Sequence, residues 1–392
     1  MLFTASVFSK RIVNFLLNII LARIISLQDF GEYSSFIIIA SYILLITEFG
    51  YSEYTLIKGK QNNNFSFLLS NFVLISIITF ILISLMSMTF ELNLIFLLVL
   101  GKVYMEVFLN KLLLTHYQYS HNFKVYSLVG LIYSVFVFFM CIYIFYFPLE
   151  LSRILLIINI FLLCSILILF KTASINFKLV NLSFFVKSLN KDLLHYGLSS
   201  VTVTVYMLSP LLIMTYLLTK EQVGIFYVAY MIASVMILFS VAINQQYLPK
   251  IIGQKNDFYI LISKPLKLLL ILNILMFILF YLFGEFILSV LFQKEDFIET
   301  NKYLLLLIVS NLFQSISGLL AMYLVGNDLL KKKFSFHLEF IVVSLIVSFP
   351  FIYSFELYGV TISYIVIYLY VLFRYFIFIK DNKRINLSSL KG

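Results

Sequence analysis

The chain has 392 residues, 62% of them hydrophobic, 18% aromatic and only 12% charged, with a formal net charge of +10. So large an apolar share cannot be hidden inside a soluble globule of this length, so the solvent must largely be lipid. In lipid only helices or closed barrels satisfy the backbone, and the long unbroken apolar runs exclude the barrel.

Crossing about 30 Å of hydrocarbon takes about 20 mostly apolar residues in a helix. In chain order the predicted spans are 6–25, 36–49, 65–88, 92–114, 126–147, 154–170, 198–218, 224–242, 266–291, 303–325, 335–353 and 358–379, twelve in all. The first holds Lys10, Arg11, Asn14 and Asn18 and lacks the basic, apolar and small-residue order of a cleaved signal, so it is expected to be retained. Only short connections remain between the spans.

Short cytoplasmic segments are enriched in Lys and Arg. With these spans, 21 of the 28 basic residues fall on one side, including Lys10, Lys58, Lys124, Lys178, Lys255, Lys331 to Lys333 and Lys383. That side is expected to be cytoplasmic and to carry both termini. The positive charge is spread over many segments instead of gathered on one face, so it marks topology and not nucleic-acid binding.

Cys141 and Cys164 fall inside predicted spans, as small apolar packing residues. The four histidines show no ligand spacing, and there is no phosphate-cradling glycine loop, paired-histidine zinc signature or serine elbow. No metal, cofactor or catalytic centre is expected.

An internal repeat organises the rest. Sliding the chain on itself by 193 residues lays Ser-Leu-Gln-Asp-Phe-Gly of 26–31 on Thr-Lys-Glu-Gln-Val-Gly of 219–224, and 65–90 on 258–283. Later parts match at an offset near 210, where 116–124 overlies 326–334. Six spans per half is an even number, so the halves run the same way, as in parallel-repeat transporters. The expected fold is all-α and membrane-embedded. An N-terminal six-helix bundle over 1–170, a cytoplasmic loop over 171–194 and a C-terminal bundle over 195–392 would surround a central cavity.

Polar residues inside spans should line that cavity, because a charge at mid-span costs about 2.5–3.5 kcal/mol and is unlikely to face lipid unpaired. Lys102, Glu106 and Asn110 stand at i, i+4 and i+8 on the fourth span, and either line the cavity or form an ion pair that locks packing. The first span offers Arg11, Asn14 and Asn18, with Arg23 at its far end. Its counterpart, the seventh, offers Ser199, Thr202 and Tyr206. On the tenth span Asn311 and Gln314 repeat the pattern without charge. These residues are the expected substrate-binding set. Glu106, an acid well inside a span, is the expected site of proton or sodium coupling.

The chain resembles the polysaccharide-exporting branch of the multidrug, oligosaccharidyl-lipid and polysaccharide exporter superfamily, especially O-antigen and capsule repeat-unit flippases. The likeness is carried by Leu-Ala-Arg-Ile-Ile-Ser-Leu-Gln-Asp-Phe-Gly-Glu-Tyr at 21–33, Glu-Phe-Gly-Tyr at 48–51, Tyr-Leu-Pro-Lys at 247–250 and the connection 326–333. It implies a bacterial inner-membrane protein that moves a polyprenyl-diphosphate-linked oligosaccharide to the outer leaflet. Arg11, Lys102 and Arg23 would then attract the diphosphate, and Asn14, Asn18, Asn110 and the seventh-span hydroxyls would bond sugars. Its implied partners are the lipid-linked glycan, membrane lipids, a proton or sodium ion and other polysaccharide-assembly membrane proteins. A multidrug and toxin extrusion antiporter is the rival within the fold, but would need an acidic, aromatic cavity. A membrane-embedded glycan polymerase or ligase is the rival enzyme, but the longest expected outer loop is only about 292–301.

Overall fold

A computed structural model of the chain describes residues 2–48, 81, 93–114, 117, 123–173, 191–251, 258–327 and 329–389. Among them every element is helical. Helices α1 (Leu2–Ile24) and α2 (Leu27–Glu48) are followed by α3 (Leu94–Val107), which continues as a π-helical segment over Phe108–Leu113. Next come α4 (Phe123–Tyr146), α5 (Leu151–Ala173), α6 (Lys191–Leu217) and α7 (Lys220–Ile251). The order ends with α8 (Phe258–Phe292), α9 (Thr300–Gly326) and α10 (Leu330–Ser389). Seven helical stretches among the described residues are long and apolar enough to cross a membrane. Outward on α8, Ile271, Leu275, Leu282 and Phe286 are exposed, as lipid-facing side chains are.

At about 1.5 Å per residue, an unbroken α10 would be roughly three times the hydrocarbon thickness. It folds back at Glu356, whose φ of 50° and ψ of −124° are not helical. The arms 330–355 and 357–389 pair antiparallel, with Phe336 on Phe378 at 5.2 Å and Phe340 on Tyr375 at 5.5 Å between ring centroids. Glu339 pairs with Arg374 at 2.9 Å across the same seam. The bend is tight: a Cβ on Gly359 would run into the Phe351 carbonyl oxygen. From α7, Gln222 Nε2 donates to the Glu356 carboxylate at 2.7 Å. The described helices thus account for eleven of the twelve expected spans. The third, 65–88, lies outside the described residues except for helical Ile81.

The helix α2 starts at Leu27, well ahead of the expected 36. The hydroxyl of Ser26 accepts from the Asp29 amide at 3.1 Å and donates to the Asp29 carboxylate at 2.6 Å, which caps two polar turns that hydropathy passes over. On α7 the Gln222 amide donates to Thr219 Oγ1 at 3.3 Å, and the Thr219 amide donates to Gln222 Oε1 at 3.1 Å. Ser26 and Asp29 map onto Thr219 and Gln222 at the repeat offset of 193, so the two halves cap the same helix with the same pair of positions.

The chain divides into two compact units, Met1–Thr204 and Val205–Gly392, with the division inside α6. Most of the expected connecting loop, 174–190, lies outside the described residues. In unit 1, α3 packs on α2 and α5, and α1 packs on α4. In unit 2, α9 packs on α7 and α10. There α6 meets the first arm of α10 through Tyr206 and Phe340, 5.6 Å apart. In span order, the fourth helix of each half therefore packs on the second, and the first packs on the fifth.

Candidate functional site

Unit 1 gathers a polar cluster from four helices. Lys10, Asn14 and Asn18 recur every four residues and so share a face of α1. On α3, Lys102 Nζ lies 3.8 Å from Glu106 Oε1, with side chains 5% and 22% exposed. Lys102 also donates to the Tyr33 hydroxyl of α2 at 3.5 Å, and Tyr33 donates to Asn18 Oδ1 at 3.2 Å. Asn14 Nδ2 donates to Glu106 Oε1 at 3.3 Å, while Asn14 Oδ1 accepts from Tyr133 of α4 at 3.2 Å.

A second chain of bonds starts at Lys10. Its ammonium donates to the Tyr126 hydroxyl at 3.3 Å and lies 4.5 Å from that ring's centre. Tyr126 in turn donates to Asn110 Oδ1 at 3.2 Å. Lys10 is buried, and a cation–π contact contributes about 0.5–2 kcal/mol at such a site. Gly130 of α4 makes room for it: a Cβ there would stand 2.6 Å from Lys10 Cε and collide with the Ser6 hydroxyl.

The arrangement thus holds two ammonium groups and one carboxylate among amides and phenols. Each asparagine is oriented by a phenol, so the amides present fixed donors and acceptors. Next to the cluster, a recess of about 540 Å³ is lined by Asp29, Glu32, Tyr33 and Glu150, among others. Tyr33 touches both, lining the recess and bonding Lys102.

The structure brings together Asn14, Asn18, Lys102, Glu106 and Asn110 of the expected residues. Asn110 joins by a different route than expected, because the π-helical segment changes the register after Val107 and so separates Asn110 from the Lys102–Glu106 face. Arg11 is exposed, and Lys10 takes its place in the cluster. The spacing of 10, 14 and 18 carried that signal. Arg23 sits 6.0 Å from the Phe145 ring at the end of α1. On α6 the Thr202 hydroxyl donates to the Leu198 and Ser199 carbonyls of its own helix, and half-buried Ser199 lies beside it. Tyr206 packs on His337 at 5.8 Å. Asn311 and Gln314 line a separate cleft in unit 2. Sequence reasoning passed over Tyr33, Tyr126 and Tyr133, since nothing in hydropathy separates a buried tyrosine from an interfacial one.

No family model and no curated protein matches the sequence. Solved structures do match. A multidrug resistance MATE family transporter of the MOP superfamily, inward-facing, superposes with a TM-score of 0.72 at 12% identity, over 97% of this chain and 95% of that one. The lipid II flippase MurJ, inward closed, gives 0.72 at 16% identity, over 97% and 87%. A Vibrio cholerae MATE transporter gives 0.59 at 14% identity, over 98% and 94%. The chain therefore has the fold shared by these multi-pass membrane proteins.

Proposed function

We propose that the protein is a flippase that moves a polyprenyl-diphosphate-linked oligosaccharide, an O-antigen or capsule repeat unit, from the cytoplasmic to the outer leaflet by alternating access. The observation that carries this reading is the buried cation cluster of unit 1. A diphosphate cannot enter hydrocarbon without partners for its charge. Lysines make charge-assisted hydrogen bonds to phosphate oxygens, and oriented amides and phenols add neutral ones. Lys10 and Lys102 are the proposed phosphate-binding groups, with Asn14, Asn18 and Asn110 beside them. Glu106 pairs with Lys102 and is the proposed site of proton or sodium linkage.

The acidic recess favours a second reading, extrusion of an organic cation. Asp29 and Glu150 are exposed, however, and Asp29 is engaged in capping α2. Solvated carboxylates at a helix end are weak cation traps.

The test is complementation of a deletion strain. Loss of the protein is expected to trap lipid-linked glycan on the inner leaflet without raising drug sensitivity, and Lys102→Ala is expected not to rescue glycan display. Full display by a normally expressed Lys102→Ala protein would remove Lys102 from cargo binding; drug sensitivity without trapped glycan would favour the antiporter. Gly130→Ala is expected to push the Lys10 ammonium off Tyr126 and to lower display at unchanged membrane abundance, as blotting and surface-glycan staining would register.

A further inference from the structure

The open end of the α10 hairpin, in unit 2, carries a second group of cations. Residues 330–340 and 370–381 hold five, Lys331, Lys332, Lys333, Arg374 and Lys380, against two carboxylates, Glu339 and Asp381. Lys332 Nζ stands 5.2 Å from the centre of the Phe336 ring and 5.9 Å from that of Phe378. Arg374 Cζ stands 4.6 Å from the centre of Phe336, so two cations rest on one ring. Arg374 meets Glu339 through Nε, which donates to the two carboxylate oxygens at 2.9 and 3.3 Å, and Tyr370 donates to the same carboxylate. Among the described residues, the two terminal nitrogens of Arg374 have no hydrogen-bond partner, and Lys332 has neither a hydrogen bond nor an ion pair.

Beyond the cations, each arm shows an apolar stripe. Lys331, Ser335, Leu338 and Val342 are exposed and recur at i, i+4, i+7 and i+11, which is one face of the first arm. Leu369, Phe373, Phe376 and Lys380 repeat that spacing on the second arm and are exposed too. Each stripe thus runs from a lysine at the open end to side chains that face hydrocarbon. Lysines at the end of a span need only water as a partner. Arg374, however, lies four residues further in than Phe378, about 6 Å along the helix, and its terminal nitrogens form a fork that matches phosphate oxygens.

The complement is an anionic amphiphile with more than one chain. A phosphatidylcholine head group brings its own cation to a cationic site, and a polyprenyl lipid has one chain for two stripes. We propose that the open end of the α10 hairpin binds the phosphate of an anionic diacyl phospholipid of the surrounding bilayer, whatever the cargo. Arg374 and Lys332 hold the phosphate, and the acyl chains lie along the exposed stripes.

Native mass spectrometry of the purified full-length protein, delipidated in detergent, tests this. The probes are dioleoylphosphatidylglycerol and dioleoylphosphatidylcholine, which share their chains and differ in charge. The first phosphatidylglycerol is expected to bind about tenfold tighter than phosphatidylcholine, and Lys332→Gln to weaken it about fivefold while leaving phosphatidylcholine unchanged. Arg374→Lys, which keeps a cation for Glu339 but removes the fork, is expected to weaken it by a similar factor. Lys264→Gln with Lys267→Gln, exposed lysines of α8, is expected to change nothing. Equal affinity for the two lipids, or an equal loss from the α8 variant, would overturn the site and leave only diffuse attraction to positive charge. Displacement of the bound phosphatidylglycerol by equimolar undecaprenyl phosphate would make the surface a polyprenyl-lipid site and also overturn it.

Discussion

Exchanging the two charges on α3, Lys102→Glu with Glu106→Lys, is expected to restore folding without restoring transport. The single change Lys102→Glu sets two carboxylates one turn apart in an apolar interior, and breaking a buried pair costs about 3–5 kcal/mol. Membrane abundance should fall sharply. The double exchange re-forms an ion pair, so abundance should recover. Its cation then sits about 6 Å further along the helix, beside Asn14 instead of Tyr33. A group that only locks packing tolerates that shift, whereas one that positions phosphate does not. Recovery of glycan display together with abundance would show that the pair is structural.

Gly359→Ala is expected to be the most damaging small change in unit 2. The α10 hairpin needs a sharp reversal, and a methyl group at 359 would meet the Phe351 carbonyl oxygen, which cannot swing aside as a side chain does. Overpacking costs about 1–3 kcal/mol where side chains can adjust, and more where backbone must move. The seam at risk holds Phe340 on Tyr375 and Glu339 on Arg374, so its loss would open the second arm. By contrast, Glu356→Gly suits the positive φ at the bend and forfeits only the Gln222 hydrogen bond. A thermal-shift or detergent-stability assay should therefore rank Glu356→Gly well above Gly359→Ala; the reverse order would mean that the bend is not the constraint.

Most of the helical layout was legible because a membrane span is a statement about solvent, and apolar runs report solvent directly. Helix ends were less so. The polar turns of α2 belong to the helix because Ser26 and Asp29 cap them, a local hydrogen-bond fact that a hydropathy window averages away. The long α10 read correctly as two spans, although its bend rests on Gly359 and on a glutamate at positive φ, not on a glycine-rich break. In the site, the Lys102–Glu106 spacing was readable from helix periodicity alone. Hydropathy does not separate Lys10 from Arg11, because adjacent positions differ only in azimuth, and the deciding contact, the Tyr126 ring, is 116 residues away in sequence. The π-helical segment left no sequence signal that periodicity could detect, and it moved Asn110 to a different partner.

Proteoliposomes test the central claim most directly. Wild-type protein, reconstituted with a fluorescent polyprenyl-diphosphate glycan, should move the probe between leaflets faster than protein-free vesicles, and Lys10→Met with Lys102→Met should return the rate to that of empty vesicles. A wild-type rate equal to that of empty vesicles, alongside protein-dependent movement of an organic cation, would contradict the account.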